Sequence, residues 1–177
     1  MNWNEKISHL SDQQALAILS SLSAVFCDES TPEIEADQIA LLHTVMEEHG
    51  HSQASAIIEL PDQQAGEAAR GLLLTMAEIP EMKDTLSQHL EKPPQQEQAA
   101  VLLPLDAAVV YTACVVALQV AGHLSAKMNS LGKWIVEYDP TREAPLDKVI
   151  SGVANTLFGV SNAILNRLKG HEKPTKD

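Results

Sequence analysis

The stretch from Ala107 to Leu124 constrains the fold of this chain most, because its 18 residues include no formally charged side chain. A helix that is apolar on nearly all sides must be buried, either in a protein core or in a bilayer. The segments around it show the periodicity of amphipathic helices, which need an apolar partner. We therefore predict a central apolar helix at about 107–130 with amphipathic helices wrapped around it.

The composition favours an all-α fold. Ala, Leu, Glu and Gln are abundant and are good helix formers, whereas aromatic residues make up only 3% of the 177 residues, fewer than a sandwich or barrel usually carries. We predict a compact bundle of six or seven helices, with one short extended segment at 133–138. Residues 1–170 are expected to form a single helical domain, and residues 171–177 a disordered tail.

Helix boundaries are marked in the first third of the chain. Ser11 with Gln14, and Ser30 with Glu33, have the spacing of capping boxes, in which each side chain bonds the backbone of the other residue. Gly50 is suited to end the second of these helices, because glycine readily adopts the left-handed conformation of a helix C-cap.

Polar and small residues interrupt the apolar pattern later in the chain. Tyr111, Thr112 and Gln119 lie on the central helix, where each needs a hydrogen-bond partner or could line a small-molecule cavity. Gly152 and Gly159 stand seven residues apart in the last helix. Since glycine weakens a helix, we expect this pair to mark a close approach to a neighbouring helix, plausibly the central one.

The charge is concentrated in one part of the chain. The net charge is -12 and the isoelectric point about 4.9, which argue against nucleic-acid binding because that needs a basic face. Residues 1–100 carry 17 acidic and 4 basic side chains, whereas residues 101–177 carry 7 and 8. Like charges repel, so an acidic stretch of this kind indicates a basic protein partner.

The sequence contains no catalytic signature, and we expect neither enzymatic activity nor a cofactor. Cys27 and Cys114 are too few for a disulfide framework and lack metal-ligand spacing. His43, Glu47 and His49 could hold a divalent metal, since the first two share a helix face. A polar helix end accounts for them as well, and we predict no metal site.

The function expected from these features is that of an acidic helical protein-binding module, such as an adaptor, a chaperone or an immunity or antitoxin protein, in a bacterial cytoplasm. One alternative is a helical protein that inserts into membranes conditionally or forms pores, although a membrane is disfavoured as a partner. A second alternative is a metal-binding protein or enzyme that uses His43, Glu47 and His49. The oligomeric state is open.

The predicted partner surface lies on the outer face of the second capped helix. Its acidic side chains are Glu33, Glu35, Asp37, Glu47 and Glu48, and the sequence has no Lys or Arg between Lys6 and Arg70.

Overall fold

A computed structural model describes residues 2–51, 60–92, 107–122, 124–139 and 145–170, with the side chains of the last helix through residue 158. The described residues form seven α-helices, a 3-10 turn at Asp62–Gln64 and a two-stranded antiparallel sheet. The predicted all-α class is thereby confirmed. The helices are α1 (Trp3–Ser8), α2 (Asp12–Phe26), α3 (Glu35–Glu48), α4 (Ala65–Met76), α5 (Pro80–Glu91), α6 (Ala107–Gly122) and α7 (Leu146–Gly170), and the strands are β1 (Ser125–Met128) and β2 (Trp134–Glu137).

The predicted helix boundaries are confirmed at two positions. The Gln14 amide donates to Oγ of Ser11 at 3.2 Å, and the Ser11 amide donates to Oε1 of Gln14 at 3.0 Å, so the capping box is complete. Gly50 adopts a φ of +80° just after α3. The next amide, that of His51, donates back to the Met46 carbonyl at 2.9 Å, which is the Schellman arrangement that ends many helices.

The capping box predicted at Ser30 is wrong. Helix α3 starts at Glu35, and its N-cap residue, Ile34, makes no side-chain capping bond. The Ser30 hydroxyl instead donates to Oδ1 of Asp28 at 2.6 Å. Local side-chain bonding has therefore kept this segment as a turn, in the way that Asp and Ser favour turns over helices.

Helix α6 lies at the centre of the core. Helices α2, α3, α4 and α7 all contact it, and Val116 is completely buried. A helix that is apolar on nearly all sides predicts burial of Val109 and Val120 as well, but both are only half-buried and pack against the edge of the core. No helix in the described part of the chain is both long and apolar enough to cross a membrane.

The central helix is shorter than predicted, because a β-hairpin starts at Ser125, within the range predicted to be helical. Strand β1 pairs with β2 in the register Ser125 to Glu137 and Met128 to Trp134, and β2 confirms the extended segment expected at 133–138. Gly132 has a φ of +73°, which suits the left-handed position of a three-residue hairpin loop. Strand pairing thus outweighs the helical pattern that extended the prediction to residue 130.

The expected close approach of the last helix occurs at Gly152, but against α4 rather than the central helix. A Cβ atom at Gly152 would lie 2.6 Å from Cγ2 of Thr75, and one at Gly71 would lie 3.3 Å from Oγ1 of Thr156. Each helix therefore presents a glycine to a threonine of the other. The two contacts are four residues apart on each helix, which makes the crossing antiparallel.

Three predictions concern parts of the chain that the structure does not describe. The tail at 171–177 lies outside the described residues, and so does Asp106, which the sequence predicts as the N-cap of the helix that starts at Ala107. The side-chain surroundings of Gly159 lie outside them too. The expectation of a single domain over 1–170 stays a prediction.

Candidate functional site

The five acidic residues predicted to bind a partner lie on α3 and just before it. Glu33, Glu35, Glu47 and Glu48 are exposed, and Asp37 is half-buried. A helix turns by about 100° per residue, so Glu35 and Asp37 lie on opposite flanks of α3. Glu47 lies about 18 Å further along the helix axis than Glu35. The structure therefore separates the predicted surface into two acidic groups, one at each end of α3.

The middle of the outer face of α3 is small and uncharged. Ala36 and Ala40 are exposed there, and His43 is half-buried. The opposite face packs into the core through Gln38, Leu41, Leu42, Val45 and Met46. A protein surface could therefore approach the middle of this helix closely, with negative charge at both ends of the contact.

Among the described residues, basic side chains do not neutralise the acidic ends of α3. Arg70, the first Arg or Lys after Lys6 in the sequence, is bound elsewhere, at 2.5 Å from Oδ1 of Asp12. In the part of the chain that the structure describes, the five predicted acids form no ion pair with Lys or Arg. Within the described residues, no Lys or Arg therefore screens these negative charges from an approaching molecule.

The loop between α2 and α3 is held by a buried glutamine of the central helix. Oγ1 of Thr31 donates to Oε1 of Gln119 at 2.6 Å, and Nε2 of Gln119 donates to Oγ of Ser30 at 2.8 Å. Within the loop, the Ser30 amide donates to Oδ1 of Asp28 at 2.8 Å. Gln119 is only 5% exposed, and a buried polar group is costly unless it is bonded. Its role in the apolar helix is therefore to fix this loop.

A second buried glutamine holds the far end of the same loop. Nε2 of Gln38 donates to the Pro32 carbonyl at 2.8 Å, and Oε1 of Gln38 accepts from Oγ1 of Thr112 at 3.1 Å. Between this anchor and α3, Ile34 leaves 64% of its surface exposed. The loop is thus tied to the core on both sides, while it presents acidic and apolar side chains outward.

A groove of about 750 Å³ adjoins this loop. Its more buried lining is apolar and comes from the end of α2, the end of α6 and the residue before β1. Its exposed lining is acidic and comes from the loop and from the first turn of α5. The described lining residues that carry this contrast are Phe26, Val120 and Leu124 on the apolar side and Asp28, Glu29 and Glu81 on the acidic side.

The histidine segment at the end of α3 does not assemble the metal site that was considered. Nε2 of His49 lies 3.3 Å from Oη of Tyr138, and the two rings meet edge to face with centroids 5.5 Å apart. The Tyr138 hydroxyl donates to Oε2 of Glu48 at 2.6 Å. Within the described ranges, no group of three or more His, Cys, Asp or Glu side chains could hold a metal ion.

The buried titratable groups of the central helix have structural surroundings. The Leu60 amide donates to Oη of Tyr111 at 2.8 Å, and burial raises the pKa of this tyrosine. Burial also raises the pKa of the Cys114 thiol, which keeps it protonated and unreactive as a nucleophile. Both side chains are therefore buried in the core, where the Tyr111 hydroxyl has a hydrogen-bond partner.

Sequence reasoning missed two parts of this site. Tyr138 was not connected with α3, because nothing local relates residues 90 positions apart. The ordered turn of the loop was missed in favour of a capping box at Ser30, although Asp28 two residues before Ser30 has the spacing of an Asx-turn. Comparison of the chain with known protein families, curated proteins and solved structures finds no significant match.

Proposed function

We propose that this protein is a protein-binding module, without catalytic activity, that engages a basic partner in the cytoplasm of a bacterium. The observation that carries the proposal is unpaired surface charge next to exposed apolar surface. Glu33 and Glu35 are exposed on either side of Ile34, and no basic side chain of the described chain pairs with them. An adaptor, a chaperone and an immunity protein would each use such a surface.

The electrostatic part of the mechanism is long-range steering. Exposed acids attract a basic partner over a distance of about 8 Å at physiological ionic strength. Short-range contacts with Ile34 and its surroundings then hold the complex. Steering of this kind changes the association rate more than the dissociation rate.

The experiment compares two double charge reversals. The partner is recovered from the native host with the full-length protein as bait, and its binding kinetics are measured at low and at high salt. Glu35→Lys with Asp37→Lys is expected to lower the association rate about tenfold at low salt. Glu67→Lys with Glu78→Lys changes the net charge by the same amount elsewhere on the surface, and we expect less than a twofold effect from it.

The two variants are matched in net charge. Glu35 and Asp37 both lie in the first turn of α3, whereas Glu67 lies in the first turn of α4 and Glu78 lies between α4 and α5. The Glu35 and Asp37 variant therefore loses more of the favourable interaction with a helix dipole. Circular dichroism should show an unchanged fold in both. An association rate that is unaffected by both salt and charge reversal would mean that the acidic residues serve solubility. The interface would then lie elsewhere, for instance around Trp134 and Tyr138.

A further inference from the structure

We infer that the groove beside the loop at 28–31 is the docking site for a basic amphipathic segment of the partner. This inference rests on the proposed function and narrows it to one place on the surface. The partner segment would place an apolar face in the groove, and its Lys or Arg side chains would contact the acidic edge of the groove.

Complementarity of charge and polarity supports this occupant. Phe26 and Val120 are half-buried and Leu124 is 6% exposed, so these residues offer apolar surface in the depth of the groove. The described residues that line the groove include no Lys or Arg. A segment with only apolar residues would bring no counter-charge to Asp28 and Glu29, and a segment with only basic residues would leave the apolar depth in water.

The groove is also preformed. Gln119 lines it and binds the loop through both of its side-chain polar atoms. Asp28 is fixed by its bonds to the amide and the hydroxyl of Ser30. Because these groups are ordered before binding, a partner need not bear the entropy cost of ordering them. A volume of about 750 Å³ is in the range of sites that hold a ligand.

The groove continues into the surface of the proposed function. The loop that carries Asp28 and Glu29 leads through Glu33 and Ile34 into α3. A partner segment seated in the groove would therefore bring the rest of the partner next to the N-terminal turn of α3. Steering by Glu33 and Glu35 and docking in the groove are two stages of one association.

The test uses a defined probe: a fluorescein-labelled peptide about four helical turns long, with Lys on one face and Leu on the other. Its affinity for the full-length protein is measured by fluorescence anisotropy. Glu29→Lys should weaken binding about fivefold, and Glu67→Lys, with the same charge change, less than twofold. Val120→Gln should weaken binding about fivefold, whereas Val109→Gln, a half-buried valine of α6 outside this groove, should not.

Several results would overturn the inference. Equal losses from Glu29→Lys and Glu67→Lys would mean diffuse attraction to an acidic protein, and no binding of the probe by the parent protein would mean that the groove does not select such a segment. If Lys173→Gln with Lys176→Gln strengthens probe binding severalfold and Lys6→Gln with Lys133→Gln, which changes the net charge equally, does not, the chain's own C-terminal segment is the occupant. A peptide of the same composition in scrambled order that binds equally well would show that an amphipathic arrangement is not required.

Failure of this inference and failure of the proposed function are distinguishable. If the association of a native partner depends on Glu35 and Asp37 but is unaffected by Glu29→Lys and Val120→Gln, the groove is not the docking site and the proposed acidic surface stands. If association is unaffected by substitutions at all four positions, both proposals are wrong. Loss of affinity in the Glu29 and Val120 variants, for the probe and for the partner, supports the groove as the docking site.

Discussion

Thr31 and Gln119 are 88 residues apart in the chain and are joined by a hydrogen bond of 2.6 Å. This bond links the most apolar of the described helices to a loop that carries exposed acidic side chains. The core and the proposed binding surface are therefore connected through the side chains of Thr31 and Gln119.

Gln119→Leu should destabilise the protein by about 1–2 kcal/mol, because Ser30 and Thr31 lose their partner on α6. Thr31→Val should cost a similar amount. Since both changes remove the same bond, the double variant should be more stable than the sum predicts, by about 0.5–1.5 kcal/mol. Urea denaturation of the four proteins measures this coupling. Strict additivity would show that the bond contributes nothing in solution.

Gly152→Ala should destabilise the protein by about 1–3 kcal/mol, although alanine is the better helix former. The reason is that the new methyl group would overlap the side chain of Thr75. Gly152→Leu should destabilise the protein more than Gly152→Ala, because the larger side chain must displace more of its neighbour. Thermal melting of Gly152→Ala, alone and combined with Thr75→Ala, tests this. Partial recovery in the combination is expected, and a stabilised Gly152→Ala variant would contradict the contact.

Val116→Asp should prevent folding, because an unpaired carboxylate in the core costs several kcal/mol, comparable with a total stability of about 5–15 kcal/mol. Val25→Asp serves as the control, since Val25 is 60% exposed. Soluble yield and cooperative melting are the measurements. A Val116→Asp protein that melts like the parent would place this side chain in contact with water.

The attachment of the hairpin to α3 should weaken at alkaline pH. Burial, followed by the hydrogen bond to Glu48 and its charge, raises the pKa of Tyr138. A group whose pKa is raised by folding contributes stability below its unfolded pKa, about 10 for tyrosine, and this stability is lost as the pH rises through the folded pKa. Tyr138→Phe should therefore make the melting temperature fall less steeply above pH 10, while Tyr111 and Cys114 still contribute. An unchanged slope would mean that folding does not raise the pKa of Tyr138.

His49→Ala should lower the melting temperature more than His43→Ala, although both remove an imidazole from the same segment. His49 loses its edge-to-face contact with Tyr138, worth about 0.5–1.5 kcal/mol, whereas His43→Ala should leave the melting temperature nearly unchanged. We also expect a chelator to have no effect on the parent protein. A melting temperature that falls with chelator would revive the metal hypothesis for His43, Glu47 and His49.

The parts of the fold that could be predicted from sequence depend on neighbouring residues. Ser11 and Gln14 are three residues apart, and Gly50 ends the helix that it directly follows, so their patterns are visible locally. Strand β1 was missed because Ser-Ala-Lys-Met has no strand preference of its own and depends on β2. The turn at Asn129–Lys133, where Oδ1 of Asn129 accepts from the amides of Leu131 and Lys133 at 2.9 Å each, was the available signal.

The candidate site was predictable in composition but not in shape. The acidic character of residues 28–48 is a property of the sequence, and the exposure of Glu33, Glu35, Glu47 and Glu48 follows from it. The groove depends on the ends of α2 and α6 and the start of α5 meeting around one loop. Contacts over that sequence distance leave no periodic pattern, so only the structure could place Glu29 beside Val120.

The paired glycines of α4 and α7 have a mechanical consequence for the last helix. Contact at Gly71 with Thr156 and at Gly152 with Thr75 gives two fixed points, which together prevent α7 from sliding along α4 or rotating about its own axis. The helix continues to Gly170, about 27 Å beyond Gly152. A tilt of about 10° at the crossing would therefore carry its last turn by about 5 Å. The absence of a side chain at Gly71 and at Gly152 thus fixes the direction of α7, the longest of the described helices.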